Sequence, residues 1–289
     1  MTTFAWPALL FSDQNRVRPE GILKQKSNLF TRYPLVLFFL LTYLLSWWSV
    51  PLMGGALFPY GPALAALIVL AIGQGRPGLR EWWARLTQWR AGRWYLIGPA
   101  IMAAALLGAF GLYQIFSGTA IPFPNLPVPA IWLELLLLGG LWEEPGFTGY
   151  ALPKLQERFA HKKNGLLIAT LILALLRAVW HLPLLASGTL PWFDVFGYII
   201  AFQIIISWLY NRSGGSVPAV MLFHYASNLL AGGMMLRAFS GDDRLLYWAL
   251  FAACAALIAL IILLRDGTSL GAHSREANQA VSPALTGEK

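Results

Sequence analysis

The sequence contains little charge for its length. Only 12% of its 289 residues are Asp, Glu, Lys or Arg, whereas 57% are hydrophobic. In soluble domains about a quarter of the residues are charged, so this chain has too few charges to cover a soluble surface. The composition excludes an ordinary soluble enzyme and predicts an integral membrane protein.

Cysteine is almost absent too, because Cys254 is the single one. An intramolecular disulfide is therefore excluded, and Cys254 is interpreted as a small residue that faces lipid or a neighbouring helix. The net charge of +8 does not indicate nucleic acid. The basic residues lie between apolar segments, where they act as topology signals and contact lipid headgroups. We therefore predict the lipid bilayer as a partner, and no nucleic acid.

Several apolar segments are long enough to cross a bilayer, which takes about 20 residues of helix. They predict an all-α fold, a polytopic bundle of about eight transmembrane helices. The predicted spans are Pro34–Met53, Leu57–Gly73, Trp94–Phe116, Ile131–Leu152, Gly165–Ala186, Phe193–Tyr210, Val217–Leu236 and Leu245–Leu264.

Basic residues occupy every second gap between these spans, whereas the gaps after spans one and three carry no charge. Cytoplasmic loops are rich in Lys and Arg, so this pattern predicts that both termini are cytoplasmic. The segment Arg76–Arg93 mixes Arg and Trp, which is typical of a helix lying along the inner interface. The predicted divisions are a cytoplasmic segment 1–33, helices in 34–130, a catalytic core 131–231, a final hairpin 232–266 and a disordered cytoplasmic tail 267–289.

Ionisable residues occur inside three of the spans. An ionised side chain at the bilayer centre costs about 2.5–3.5 kcal/mol on insertion scales, and such residues usually face one another or a wet cavity. We therefore expect the side chains of spans four, five and seven to meet in one pocket. They are Glu143, Glu144, Arg177, His181 and His224, with Asn228 and, in span six, Gln203 as polar additions. Glu134, near the outer end of span four, is interpreted as a rim residue rather than a catalyst.

The spacing of these residues suggests chemistry. Glu143 and Glu144 are adjacent, so they diverge by about 100° on a helix and cannot both face one cavity. His224 and Asn228 are four residues apart and share a helix face, where they can hold an oxyanion or a metal ion with its water. The alternative roles are hydrogen bonding between helices and proton relay. The position of Glu143 near the cytoplasmic end of span four suggests access from the cytoplasm.

The three segments EEPGFTGYALPKLQ, WHLP and HYASN resemble, in this order, the motifs of the CPBP family of intramembrane proteases. That family includes the type II CAAX prenyl endopeptidases and the bacterial Abi group, which processes bacteriocins or confers immunity to them. The resemblance implies a bacterial inner-membrane endopeptidase that acts on a membrane-bound peptide or a lipidated protein.

The resemblance also implies a role for each residue. Glu143 would act as general base on a water molecule, aided by His181, with Glu144 as the second glutamate of the motif. His224 and Asn228 would stabilise the oxyanion or help to bind a metal. Zn²⁺ or another divalent ion held by Glu143, His181 and His224 is one possible cofactor. A glutamate mechanism that needs no metal is the other, and the chain has no His-Glu-x-x-His motif to decide between them.

One position departs from the family pattern. The family carries Arg where this chain has Thr148, four residues after Glu144. We expect Arg177 to replace it and to pair with Glu144 across helices. Two other functions stay open: an inactive scaffold or immunity protein with the same fold, suggested by Thr148, and a proton-coupled carrier. The carrier is disfavoured because the chain has no internal repeat.

Overall fold

The computed structural model describes residues 28–118 and 120–272, so most of the predicted N-terminal segment lies outside the described residues. Within these ranges every regular element is helical, which confirms the all-α class. The longer helices are α1 (Pro34–Trp47), α2 (Gly61–Gly73), α3 (Gly75–Leu86), α4 (Trp94–Ser117), α5 (Pro129–Leu138), α6 (Leu152–Phe159), α7 (Gly165–Trp180), α8 (Ile199–Arg212), α9 (Val217–Ser227) and α10 (Gly241–Asp266).

Shorter helical pieces connect or extend these helices. They are Leu29–Arg32, Glu144–Gly146, Leu182–Ala186 and Leu236–Ala238, the 3₁₀ turns Gly140–Glu143 and Gly267–Ser269, and the π-helical turns Phe147–Ala151, Asp194–Tyr198 and Asn228–Met235. π-helical turns occur often at functional sites. Here each of the three either follows or contains candidate site residues.

Four helical stretches of the described chain are long and apolar enough to cross a membrane: Trp94–Ser117, Asp194–Arg212, Val217–Ala238 and Gly241–Ser269. They correspond to predicted spans three, six, seven and eight, and they indicate an integral membrane protein. Helices α1, α2 and α7 are shorter apolar helices that correspond to spans one, two and five. The total of eight spans remains a prediction.

Predicted span four is not one continuous helix. Helix α5 ends at Gly139, whose backbone is extended (φ −84°, ψ 169°), and the chain continues through the 3₁₀ turn Gly140–Glu143 and the π-helical turn Phe147–Ala151. Two adjacent glycines and Pro145, which lacks a backbone N–H, weaken a regular helix here. These residues are visible in the sequence, but the segment is hydrophobic throughout, so its hydropathy does not indicate that the helix is interrupted.

The irregular stretch after α5 leaves backbone carbonyls that need donors, because water is absent from the bilayer core. Helix α3 supplies two of them. The indole of Trp82 donates to the Pro145 carbonyl at 2.8 Å, and Arg85 Nη1 lies 3.4 Å from the Gly149 carbonyl. Trp82 is buried, so this part of the predicted interfacial segment packs against the protein rather than lying only on lipid.

Predicted span five also ends early. Helix α7 stops at Trp180, and His181 is its C-terminal cap. Pro183 cannot donate a backbone hydrogen bond, so a separate short helix, Leu182–Ala186, follows. Helix α1 holds the end of α7, because Tyr43 donates to the Leu176 carbonyl and Trp47 donates to the Trp180 carbonyl, both at 3.0 Å.

The chain stays ordered beyond Gly267, where the sequence predicted the start of a disordered tail. Leu270 is fully buried, and its carbonyl accepts a hydrogen bond of 3.2 Å from Asn211 Nδ2. Arg212 and Asp266 form an ion pair of 2.6 Å beside it. A buried leucine therefore fixes residues 267–272 to the bundle, and residues 273–289 of the predicted tail lie outside the described chain.

Candidate active site

Glu144 lies at the centre of the buried polar cluster and has no exposed surface. Its Oε1 is 2.7 Å from Arg177 Nη2 and 2.6 Å from His224 Nδ1. Its Oε2 accepts a hydrogen bond from the Thr148 hydroxyl. Three donors from three different segments therefore surround one carboxylate, which offsets the cost of burying its charge.

The expected contact between Arg177 and Glu144 is present, and Arg177 is itself only 1% exposed. Its guanidinium carbon lies 4.5 Å from the centre of the Phe147 ring and 5.9 Å from that of Phe202. Its Nε and Nη1 have no hydrogen-bond acceptor within the described ranges. The aromatic faces compensate in part, because a cation over a ring is attracted by the ring's negative face.

The contact with Glu144 fixes the proton of His224. A carboxylate with three donors can only accept, so His224 Nδ1 carries the hydrogen. The Nε2 of the neutral ring then presents a lone pair away from Glu144. A carboxylate behind a histidine orients the ring in this way in many catalytic and metal sites.

His181 shows the same pattern with a different partner. Its Nδ1 is 2.8 Å from the Arg177 carbonyl, which can only accept, so Nδ1 again carries the hydrogen and Nε2 presents a lone pair. The ring also packs edge-on against Trp180, with 4.7 Å between ring centres. His181 is partly exposed and lines the cavity described below.

Glu143 differs from its neighbour, because it has no direct hydrogen bond among the described residues although it is only 6% exposed. Gly140 begins the 3₁₀ turn that Glu143 ends. A Cβ at Gly140 would come within 2.8 Å of Glu143 Oε1 and closer still to His224 Nε2. The carboxylate and the imidazole lone pair therefore approach one small space that only glycine leaves open.

A cavity of about 400 Å³ opens above this space. All the predicted site residues except Glu144 line it: Glu143, Arg177, His181, His224 and Asn228. Glu144 instead lies behind the wall, where it holds Arg177 and His224 in place. The prediction that the two glutamates face different ways agrees with this arrangement.

The wall of the cavity formed by Asp194, Tyr198, Ser227 and Trp248 was not predicted from the sequence. Asp194 is 7% exposed and accepts a hydrogen bond of 2.7 Å from Trp248 Nε1, and the hydroxyls of Tyr198 and Ser227 are 2.7 Å apart. All four residues line the cavity. The available signal was Asp194, the one charged residue near the start of predicted span six.

The donor set fits a divalent metal ion in its chemistry. Ligand atoms of Glu143, Glu144 and His224 all lie within 4.8 Å of one another, and all three residues are buried. This set contains Glu144 in place of His181, which the sequence predicted as a ligand. The Nδ1 of His181 lies instead 2.8 Å from the Arg177 carbonyl.

Comparison with known proteins agrees with the site. Residues 124–230, which contain every candidate residue, match the family model described as Type II CAAX prenyl endopeptidase Rce1-like. The chain is similar to CAAX prenyl protease 2 of Methanococcus maripaludis, with 26% identity over 182 residues. The alignment covers 57% of this chain and 63% of that protein, slightly under two thirds of its length.

Together, the helical membrane bundle and its buried glutamate–histidine cluster define the class of this protein, an intramembrane protein with an enzyme-like polar cavity. Over residues 124–230 the chain is similar to the Rce1-like type II CAAX prenyl endopeptidases.

Proposed function

We propose that the protein is an intramembrane endopeptidase that hydrolyses a peptide bond with an activated water molecule. The observation that carries the proposal is the pairing of two acceptors at the cavity floor. The Glu143 carboxylate has no hydrogen-bond donor of its own among the described residues, and the His224 Nε2 lone pair approaches the same space beside Gly140. A water molecule placed there would find acceptors for both of its protons.

In the proposed reaction, Glu143 takes one proton from the water molecule while the water oxygen attacks the carbonyl carbon of the scissile bond. His181 lines the same cavity and presents an Nε2 lone pair, so it can orient the water or accept a proton. The proton held by Glu143 then passes to the leaving amine when the C–N bond breaks. General acid–base catalysis of this kind contributes about 10²–10⁴-fold to a rate.

Asn228 supplies a side-chain amide that can donate to the oxyanion of the tetrahedral intermediate. It lines the cavity one turn after His224, at the start of the π-helical turn Asn228–Met235. Glu144, Arg177 and Thr148 lie behind the reacting groups, so we assign them positioning roles. Glu144 holds the tautomer of His224, and Arg177 and Thr148 hold Glu144.

A divalent ion such as Zn²⁺ would be held by Glu143 and His224, with Glu144 as a further ligand or as the hydrogen-bond partner of His224. When bound, it would act as a Lewis acid on the water or the peptide carbonyl. Metal analysis of the purified protein, beside the Glu143→Gln and His224→Ala variants, tests this role. Binding predicts near-stoichiometric metal in the native chain and a loss in both variants.

The substrate in this proposal is a membrane-associated peptide or a lipidated protein. The relative from Methanococcus maripaludis is named as a CAAX prenyl protease, which makes a prenylated peptide one probe and a bacteriocin-type precursor another. The inactive scaffold loses its main support, because Thr148 no longer implies an uncompensated Glu144. Arg177 provides the cation that the motif lacks.

Glu143→Gln is the direct test. Glutamine fills nearly the same volume and cannot accept the proton, so cleavage should fall by about 10²–10⁴-fold. Thermal unfolding in detergent should be unchanged within about 1 kcal/mol, because Glu143 has no hydrogen bond to lose. The control is Glu157→Gln, which makes the same substitution on α6, outside the cavity. Gln203→Glu is not suitable as a control, because it would bury a new charge. Cleavage by Glu143→Gln at the native rate would refute the proposal.

A further inference from the structure

Glu143 makes no hydrogen bond among the described residues, so its direction depends on the backbone that carries it. That backbone is the 3₁₀ turn Gly140–Glu143, which follows the break at the end of α5. A 3₁₀ turn has poorer hydrogen-bond geometry than an α-helix, so it is a weak support by itself. The contacts that other segments make with this turn therefore decide where the carboxylate points.

Two carbonyls at the end of α5 have side-chain donors. The last four carbonyls of any helix have no partner within it. Here the indole of Trp142 donates to the Leu136 carbonyl at 2.8 Å, and the Tyr60 hydroxyl donates to the Leu137 carbonyl. No backbone amide within the described ranges donates to the Leu137 carbonyl. Tyr60 therefore caps the helix at the point where the backbone turns toward Glu143.

Tyr60 also fixes the residue before Glu143. Its ring is stacked on that of Trp142, with 5.4 Å between the ring centres and 25° between the planes. The Trp142 side chain is thus held at its Nε1 by Leu136 and on its face by Tyr60. In a 3₁₀ turn successive side chains point about 120° apart. A fixed Trp142 ring therefore fixes the rotation of the turn, and with it the direction of Glu143.

The chain after Glu143 is held by the same segment. A Cβ at Gly146 would overlap the carbonyl oxygen of Pro62, so the two backbones are in close contact there. Tyr60 is the N-terminal cap of α2, and Pro62 lies in its first turn. We call residues 60–62 the clamp, because they contact the chain on both sides of Glu143.

We propose that Tyr60 is a positioning residue, which keeps Glu143 within reach of the reacting water by fixing the turn that carries it. A general base must lie within about 2.6–3.2 Å of the proton it takes. Tyr60 does not line the cavity, so it acts on the reaction only through the turn. The catalytic part of this inference rests on the proposed protease function, whereas the contact between the clamp and the turn does not.

An aromatic residue in a membrane protein can have a simpler role. Tyr and Trp are common at membrane interfaces, where their polar ends contact lipid headgroups. The polar atoms of Tyr60 and Trp142 instead donate to carbonyls of α5. This use of both polar groups within the protein favours a role in fixing the turn.

Three variants test the proposal in the full chain. Tyr60→Phe keeps the stacked ring and removes the hydroxyl, and Tyr60→Leu removes both. The matched control is Tyr225→Phe, because the Tyr225 hydroxyl also donates to a carbonyl of α5, that of Trp132, at 3.0 Å. Trp132 lies inside the regular helix, where a backbone amide is available as well. Loss of the Tyr225 hydroxyl should therefore leave the turn unchanged.

Hydrogen exchange of the backbone amides in 139–147, measured in detergent, reports the contact. Exchange should be faster in Tyr60→Phe by about 2- to 12-fold, the factor that corresponds to one net hydrogen bond. It should be faster still in Tyr60→Leu and native in Tyr225→Phe. A native exchange rate in Tyr60→Phe, or an equal increase in the control, would overturn the role of the clamp.

Cleavage kinetics report the positioning. We expect kcat to fall about 10-fold in Tyr60→Phe and further in Tyr60→Leu, since a displacement of about 1 Å can cost about 100-fold in rate. KM and the unfolding temperature of Tyr60→Phe should stay close to native. Faster exchange with a native kcat would overturn the positioning role. So would a lower kcat accompanied by a changed KM and a lower unfolding temperature, because a general loss of structure has that effect.

The two proposals fail in different ways. The exchange measurement needs no cleavage, so it tests the clamp even if the protein is not a protease. Failure of the protease proposal would show as native cleavage by Glu143→Gln, whatever the Tyr60 variants do. Loss of cleavage in Glu143→Gln together with native kcat in Tyr60→Phe would overturn the inference about Tyr60 alone.

Discussion

The site has a buried half around Glu144 and an open half around Glu143. These adjacent glutamates differ in their hydrogen bonds and in their access to the cavity. In the buried half, Glu144 receives hydrogen bonds from Arg177, Thr148 and His224 and does not line the cavity described above. In the open half, Glu143 lines the cavity and has no such donors within the described chain. In this site, one carboxylate is compensated by three donors and positions His224, while the adjacent carboxylate of Glu143 stays available for chemistry.

The contrast also separates stability from activity. Residues of the buried half should affect folding first, because removal of one partner leaves a buried charge without compensation. Residues of the open half should affect turnover with little effect on folding, because they have few interactions to lose. Variants in each half, compared under identical conditions, test this division.

The largest effect is expected from Arg177→Leu, which leaves Glu144 buried without its cation. Removing one partner of a buried ion pair costs about 3–5 kcal/mol, so the variant should unfold at a much lower temperature in detergent and lose activity. Arg177→Lys keeps the charge and should retain much of the stability. Adding Thr148→Arg to Arg177→Leu should restore part of it, because the cation then returns from the family's usual position.

If Arg177→Leu unfolded at the same temperature as the native protein, the ion pair between Arg177 and Glu144 would not be what stabilises the buried half. A double variant no more stable than Arg177→Leu would show that position 148 cannot present a cation to Glu144. Elution volume on a sizing column and thermal unfolding, measured for all three variants and the native chain, separate these outcomes.

A smaller, purely functional effect is expected from Gly140→Ala. The new methyl group would meet Glu143 Oε1 and His224 Nε2, which must move apart. Misplacing reacting groups by about 1 Å can cost about 100-fold in rate, so cleavage should fall by that order. Gly111→Ala, in α4 where a Cβ meets nothing within 4 Å, is the matched control.

For this pair, the measurement is kcat beside thermal unfolding. Because the affected atoms are ends of flexible side chains, Gly140→Ala should unfold close to the native temperature. Equal kcat values for Gly140→Ala and Gly111→Ala would show that the space beside Gly140 is not where the reaction occurs.

The smallest effect is expected from Asp194→Asn, which lies on the cavity wall and has no hydrogen bond with the Glu144 cluster. The indole of Trp248 can still donate to the new amide oxygen, so the free energy of unfolding should change by no more than about 1 kcal/mol. KM for a peptide substrate should change more than kcat does, because Asp194 lines the cavity without contacting Glu143 or His224. An unchanged KM together with a lower kcat would place Asp194 in the catalytic step instead.

Much of the fold could be read from the sequence. Hydropathy located the apolar segments because a membrane helix must be long and nearly free of charge, and four of the helices are long enough to span. It failed at span four and at the end of span five, because Gly139, Pro145 and Pro183 interrupt the helix without lowering its hydrophobicity. Leu270, similarly, looks like part of a polar tail until its packing is seen.

The candidate site shows the same division. The scarcity of charge in the spans singled out Glu143, Glu144, Arg177, His181 and His224, since ionisable groups in a bilayer are too costly to keep without a use. The i,i+4 spacing and the missing arginine at Thr148 suggested the partner of Glu144. The first of these conclusions needs only composition and the cost of burying charge, whereas the second also needs the resemblance to the CPBP motif.

What the tertiary structure alone decided is which groups are held and which remain free. Adjacent glutamates look equivalent in sequence, and only the packing of α7 and α9 around Glu144 leaves Glu143 facing the cavity. The contacts of the cavity wall, between Asp194 and Trp248 and between Tyr198 and Ser227, were equally invisible. They depend on which helix ends meet, and contacts between residues distant in the chain leave no local pattern in it.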